Sequence, residues 1–201
     1  MLLPSSGFYA PGMDQIFTFF QHIHSVPEHI LEEYLHHWQA FTAPKKTLLT
    51  EPGKVERYMY FVLEGVQKSY LLTEDKVHIL AFTYAPSLSG IPESFFTQTP
   101  SPYFLETITH SRFLRISYEK HQAYMAAHRE IETLFRKGVE QLLLGIMQRY
   151  TSLMHEDIET RFRNFLARSP HLLQMVPQKD LASYLRIDPT NFSKLINQYR
   201  T

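Results

Sequence analysis

Apolar residues between Met13 and Trp38 recur every three or four positions: Ile16, Phe19, Phe20 and Ile23, then Ile30, Leu31, Tyr34, Leu35 and Trp38. That spacing predicts helix over residues 13–41. Ser25-Val26-Pro27 divides it, because proline has no amide to donate and suits the first turn of a new helix. From Lys45 to Tyr118 the pattern changes to short runs rich in Tyr, Phe, Val and Thr, over residues 45–50, 57–64, 66–73, 76–84, 103–109 and 111–117. Pro52-Gly53, Gly65, Glu74-Asp75 and His110 separate them, and Gly53 and Gly65 fit turns that a side chain would obstruct. Strands of this length with short links predict an antiparallel β-roll or sandwich. One long interruption, residues 85–102, holds four prolines, Gly90 and room for a single helical turn from Glu93 to Thr97. A loop of that length in a compact β unit is either functional or a cover over the open end of the roll.

After Ser117 the helical period returns. Ile131, Leu134, Phe135, Val139, Leu142, Leu143, Ile146, Met147, Tyr150 and Leu153 step by three and four. A helix of about 25 residues spans about 37 Å, more than one face of a small roll needs. Pairing with a second copy is therefore expected, through Phe135, Val139, Leu142 and Ile146; the alternative is a helix buried wholly in its own subunit. Residues 157–168 form another amphipathic run, ended by Ser169-Pro170.

Residues 178–198, QKDLASYLRIDPTNFSKLINQ, place Leu181, Ala182, Leu185, Ile187, Phe192, Leu195 and Ile196 on one seam shared by two short helices. Asp188 is suited to cap the second helix and Pro189 to open it. The small Ala182 lets the helices cross closely. Thr190, Asn191, Ser193, Lys194 and Asn197 then point outward, side chains of the hydrogen-bonding kind that read base edges. The plain alternative is a helical hairpin that caps a core.

Composition narrows the choices. With 201 residues, 44% of them hydrophobic, the chain can bury one large core or two small ones. It has no cysteine, which excludes disulfides, thiolate-held iron–sulfur clusters and thiol nucleophiles. The start, MLLPSSGFYAPG, lacks the basic residues and apolar run of a leader, and no apolar stretch has membrane-spanning length. A soluble cytoplasmic protein without a membrane partner is expected. Net charge is zero, yet residues 1–111 carry 6 Lys+Arg against 11 Asp+Glu, and residues 112–201 carry 14 against 9. The two-helix unit thus lies in the positive half, the half suited to a polyanion. His22 and His24 are two apart on a predicted helix and point apart, poor geometry for a shared metal. A cupin-like metalloenzyme would need His-x-His on a strand, and the strand histidines are only His78 and His110, so neither a metal site nor an enzyme is expected.

Helix, β-roll, long helix, short helix and helix-turn-helix, with Glu51-Pro52-Gly53, residues 60–65 (YFVLEG), Gly90, residues 161–166 (RFRNFL) and the Gln178-Lys179-Asp180-Leu181-Ala182 opening, resemble the Crp/Fnr family of bacterial transcription regulators. The short branch of Bacteroidetes-type bacteria is the most similar. The resemblance spans about residues 31–198 and implies an α+β fold: an antiparallel β-roll (double-stranded β-helix) with N-terminal helices over 1–117, a long dimerisation helix over 118–154, and a small all-α helix-turn-helix domain over 155–201. It implies a homodimer on double-stranded DNA, with RNA polymerase as a further partner. Asn191, Ser193, Lys194 and Asn197 would face the major groove, and Gln178 or Thr190 the backbone. Gly90, Ile91, Glu93 and Ser94 would line an effector site.

Departures qualify this. Nucleotide-binding members carry Gly-Glu in the loop and an Arg about ten residues later; here Ile91 follows Gly90, and no Arg or Lys lies between Gly90 and His110. A buried phosphodiester needs a cationic or multi-amide partner, so cAMP is not expected to bind in the usual way, and another small effector, or none, takes its place. Glu93 could still reach a sugar hydroxyl. Arg186 stands where the family has Gly, Pro189 where it has Arg, and Lys194 replaces a second Arg that forks onto guanine. No wing follows before Thr201, which is expected to weaken binding through lost phosphate contacts. A ligand-sensing or scaffold protein that has lost DNA binding is the competing reading.

Overall fold

The computed structural model of the protein describes residues 12–74 and 76–200. The N-terminal stretch read for a leader, Asp75 of the predicted turn, and Thr201 lie outside the described residues. Two helices come first, α1 (Met13–Ile23) and α2 (Glu28–Leu35), and they part at the predicted break, with Pro27 as the N-cap of α2. The expected helix does not reach residue 41. Gln39–Ala43 is a strand, β1, because it pairs in full register with a strand at the end of the roll, and that ladder outweighs local pattern.

The roll continues with β2 (Leu48–Thr50), β3 (Tyr58–Glu64), β4 (Val66–Thr73), β5 (Lys76–Tyr84) and β6 (Ser87–Ser89). After the short helix α3 (Pro92–Thr97) come β7 (Phe104–Thr107) and β8 (Ser111–Ser117). They form two antiparallel four-stranded sheets, ordered β1-β8-β3-β6 and β2-β7-β4-β5. The chain passes from β3 in one sheet to β4 in the other at Gly65 (φ 92), where a Cβ would collide with the His110 carbonyl and Ser111.

Sheet pleat sends alternate β8 residues to opposite sides. Leu114 and Ile116 join Phe61 and Met59 beneath α1, α2 and the helices that follow. Phe113 turns inward, to a second cluster with Tyr60, Val62, Ile91 and Leu105 inside the roll.

The helical run after Ser117 is two helices, α4 (Tyr118–Ala127) and α5 (Arg129–His155), broken at His128. At 27 residues α5 is about 40 Å long. Its first turns are core: Ile131, Leu134 and Phe135 pack among Phe20, Tyr34 and His121. Phe135 is therefore not part of an outward stripe, contrary to its expected place in a dimer face. The stripe begins one turn later and runs through Val139, Leu142, Leu143, Ile146, Met147 and Tyr150, each more than 40% exposed.

Helices α6 (Ile158–Arg168), α7 (Leu172–Met175), α8 (Gln178–Leu185) and α9 (Pro189–Arg200) complete the chain. Asp157 caps α6 by accepting from the Thr160 amide at 2.7 Å. Phe162, Phe165, Leu181, Leu185, Phe192 and Ile196 form their core, which also takes in Val66, Ile79 and Ile108 of the roll.

Candidate nucleic-acid interface

The α8–α9 pair has the geometry that its sequence predicts. Leu181, Ala182, Leu185, Ile187, Phe192 and Ile196 are buried, and Leu195 is partly so. Asp188 Oδ1 accepts from the amides of Thr190 (2.9 Å) and Asn191 (3.3 Å), with Pro189 opening α9. Arg186 takes the left-handed conformation (φ 56, ψ 42) that a glycine would take at lower cost, so the turn is kept rather than rebuilt. Its carbonyl accepts from Arg161, and so does that of Leu185. Gln178, Thr190, Asn191, Ser193, Lys194 and Asn197 are all exposed.

The unit docks on the roll through α8 and not α9. Asp180, nearly buried, meets Lys68 of β4 at 3.0 Å, and Lys68 also lies 3.6 Å from Glu106. Ser183 Oγ accepts from the Ile79 amide and donates to the Val77 carbonyl. Arg149 of α5 donates to the carbonyls of Leu80 and Tyr184, with its guanidinium 3.7 Å over the Tyr184 ring. This leaves the polar side of α9 facing solvent.

The proposed effector residues are placed less uniformly. Gly90 has a positive φ of 151, consistent with its glycine identity. Ile91 belongs to the apolar cluster inside the roll. Ser94 is buried, accepts from the Glu56 amide and donates to the Thr99 carbonyl, so its hydroxyl holds the loop together. Glu93 is exposed. Beside them lies a group that sequence reading missed. Glu56 is buried, takes a hydrogen bond from Thr50 and another from the Tyr58 amide at 3.3 Å. Burial pushes its carboxyl up to about 7, against the hydrogen bonds from Thr50 and from backbone amides, which pull it down.

The roll also has a cation that the loop lacks. Arg115 of β8 shares the inward side with Phe113, and its guanidinium is held between Phe41 (4.1 Å) and Tyr58 (4.3 Å). Its Nε is buried without a hydrogen-bond partner. Alternation along β8 would have found it: Phe113 and Arg115 share a parity, opposite to Leu114 and Ile116. His78 and His110, the strand histidines, do not meet: His78 bonds Thr73 and His110 lies exposed between β7 and β8. Among the described residues no three His, Asp or Glu side chains come together as metal ligands, and no helix is long and apolar enough to cross a membrane.

Solved structures share this architecture. FixK2 from Bradyrhizobium japonicum superposes with a TM-score of 0.69 at 16% identity, covering 81% of this chain and 84% of that one. CLP of Xanthomonas campestris, described as a c-di-GMP responsive global regulator, gives 0.63 at 17%, covering 87% and 92%. A protein from Eubacterium rectale, described as a transcriptional regulator of the Crp/Fnr family, gives 0.65 at 10%, covering 87% and 84%. The chain has the Crp/Fnr fold. No protein-family model matches the sequence, and no curated protein matches it either.

Proposed function

We propose that the protein is a homodimeric, DNA-binding transcription regulator of the Crp/Fnr kind, without catalytic activity, acting in the cytoplasm. Its placement in the short Bacteroidetes-type branch is part of the same reading, as are the boundaries 1–117, 118–154 and 155–201. The observation that carries it is the α9 face: Asn191, Ser193, Lys194 and Asn197 stand exposed on a capped helix that is braced through α8 and left clear of the roll. These residues would enter the major groove, and Gln178 and Thr190 would contact phosphates. The exposed stripe of α5 at Val139, Leu142 and Ile146 supplies the dimer axis, for contiguous apolar surface of this extent marks an interaction face. Two recognition helices would then read half-sites about 34 Å apart.

The roll supports an effector other than cAMP bound in the usual way. Ile91 and Ser94 are committed to packing and to holding the loop, and the cation comes from Arg115 on a strand instead of from the loop. RNA polymerase is a partner by the same reading.

Selection from random duplexes at low salt tests the proposal. A two-fold-symmetric site should be enriched, and Lys194→Ala should weaken binding by about 1–3 kcal/mol and relax the sequence preference at the base pair it reads in each half-site. No enrichment at any salt would instead favour a ligand-sensing scaffold of the same fold.

A further inference from the structure

A cavity of about 360 Å³ lies where the roll meets the C-terminal helices, outside both the α9 face and the loop at residues 90–94. Its walls are Phe82 and Tyr84 of β5, Phe165 and Arg168 of α6, Ser169, and Tyr184 of α8. Aromatic rings dominate, and the polar groups converge: Tyr84 Oη and Ser169 Oγ are 2.5 Å apart, and Arg168 Nη2 donates to Tyr184 Oη at 3.0 Å.

The charge around this cavity is mostly positive. Arg168 and Tyr184 also wall a second hollow of about 280 Å³, lined by Arg149 and Arg161 and by one carboxylate, Glu156, whose Oε2 accepts from Ser152 and Asn164. Among the described residues, the side-chain ion pairs are Lys68 with Glu106 and Asp180, Arg112 with Glu64, and Arg136 with Glu140. None involves Arg149, Arg161 or Arg168. Arg161 is held by the carbonyls of Glu156, Leu185 and Arg186 and not by a carboxylate. Burial lowers the Arg149 pKa from its ordinary value; the Tyr184 hydroxyl opposes that, and the like charges of Arg168 and Arg186 add to it. Three arginines, Arg149, Arg161 and Arg168, against the single carboxylate of Glu156 leave net positive charge beside a concave aromatic surface, a setting that suits an anion.

We propose that the junction cavity binds a small aromatic anion, one ring bearing a carboxylate or a phosphate, with Arg168 as the cation. The ring would lie among Phe82, Phe165 and Tyr184, and the acidic group would meet the Arg168 guanidinium and the Ser169 hydroxyl. The volume stands at the small end of ligand pockets, which run from roughly 300 to 1,000 Å³, and so favours a single ring over a dinucleotide. A DNA phosphate is a poorer fit, because neither cavity is lined by α9. The site goes beyond the DNA-binding reading and does not depend on it.

Phenyl phosphate is the probe, titrated into the full chain without DNA and followed by backbone amide NMR. Saturable shifts are expected at Tyr84, Ser169 and Tyr184, with affinity about tenfold weaker in Arg168→Gln and unchanged in Arg163→Gln, a charge-matched control on the exposed side of α6. Arg168 is itself exposed, and thermal unfolding verifies that its variant is folded. Inorganic phosphate should bind at least about tenfold more weakly, since it cannot use the rings. Equal affinity in Arg168→Gln, shifts confined to α9, or shifts that do not saturate would each overturn the site.

Discussion

Two buried titratable residues work in opposite directions. His121 is fully buried, its Nδ1 lies 2.9 Å from Tyr34 Oη, and its Nε2 has no partner. Burial lowers its pKa from 6.5 to about 4. Below pH 6.5 the unfolded chain therefore takes a proton that the folded chain refuses, and stability falls until about pH 4. Glu56 is raised from 4.5 to about 7, so the folded chain holds a proton that the unfolded one releases. Its stabilisation is complete below pH 4.5 and is lost as pH rises to 7. The two effects offset each other between pH 5 and 7. In Glu56→Gln, urea titrations should show stability dropping by about 2 kcal/mol more than wild type from pH 7 to 5, and His121→Gln should show the reverse sign. Neither residue announces this in the sequence, because the shift comes from surroundings contributed by distant strands and helices.

Among the elements, α5 changes character along its length. Ile131, Leu134 and Phe135 hold it to α1 and α2, and beyond Gly138 its apolar side chains meet no other part of the described chain closely enough to be buried. If the proposed dimer forms through this stripe, Leu142→Glu combined with Ile146→Glu should leave the helix content unchanged and convert it to a monomer in sedimentation velocity, with association weakened at least tenfold (about 1.4 kcal/mol). The helical period showed a stripe, but it could not show where burial by the chain's own core ends. That boundary depends on how far α1, α2 and α4 extend along the helix. The same limit applies to β1: Phe41 and Ala43 fit a helix tail as well as a strand until β8 is available as a pairing partner.

For the whole molecule, the roll and the C-terminal helices share one core. Val66 and Ile79 pack with Phe165, Leu181 and Leu185, and the Lys68–Asp180 pair is almost sealed from solvent. A single calorimetric transition is expected for the wild type. Lys68→Met leaves the Asp180 carboxylate buried without its cation, at a cost of about 3 kcal/mol, and should release the C-terminal helices as an earlier, separate transition. The charge split between the halves was visible at the outset, and the docked arrangement gives it a location: the arginines gather at the junction and on the C-terminal helices.

Local order was readable from the residues themselves. The break at Pro27, the runs from β3 to β5, the turn at Gly65, the helical turn inside the long loop, and the Asp188-Pro189 start of α9 all follow from short-range stereochemistry and from hydrophobic period. The outward positions of α9 followed as well, since a helix that buries Phe192 and Ile196 must expose Asn191, Ser193, Lys194 and Asn197. Tertiary structure alone decided that Arg115 supplies the cation inside the roll, that Phe135 is core, that Glu56 is sealed beside the loop, and that a cavity opens between Tyr84 and Arg168. The reason is physical: these features join residues distant in the chain, such as Glu56 with Ser94, Phe20 with Phe135 and Tyr84 with Ser169, and their energies come from burial and charge that exist only once the sheets and helices have met.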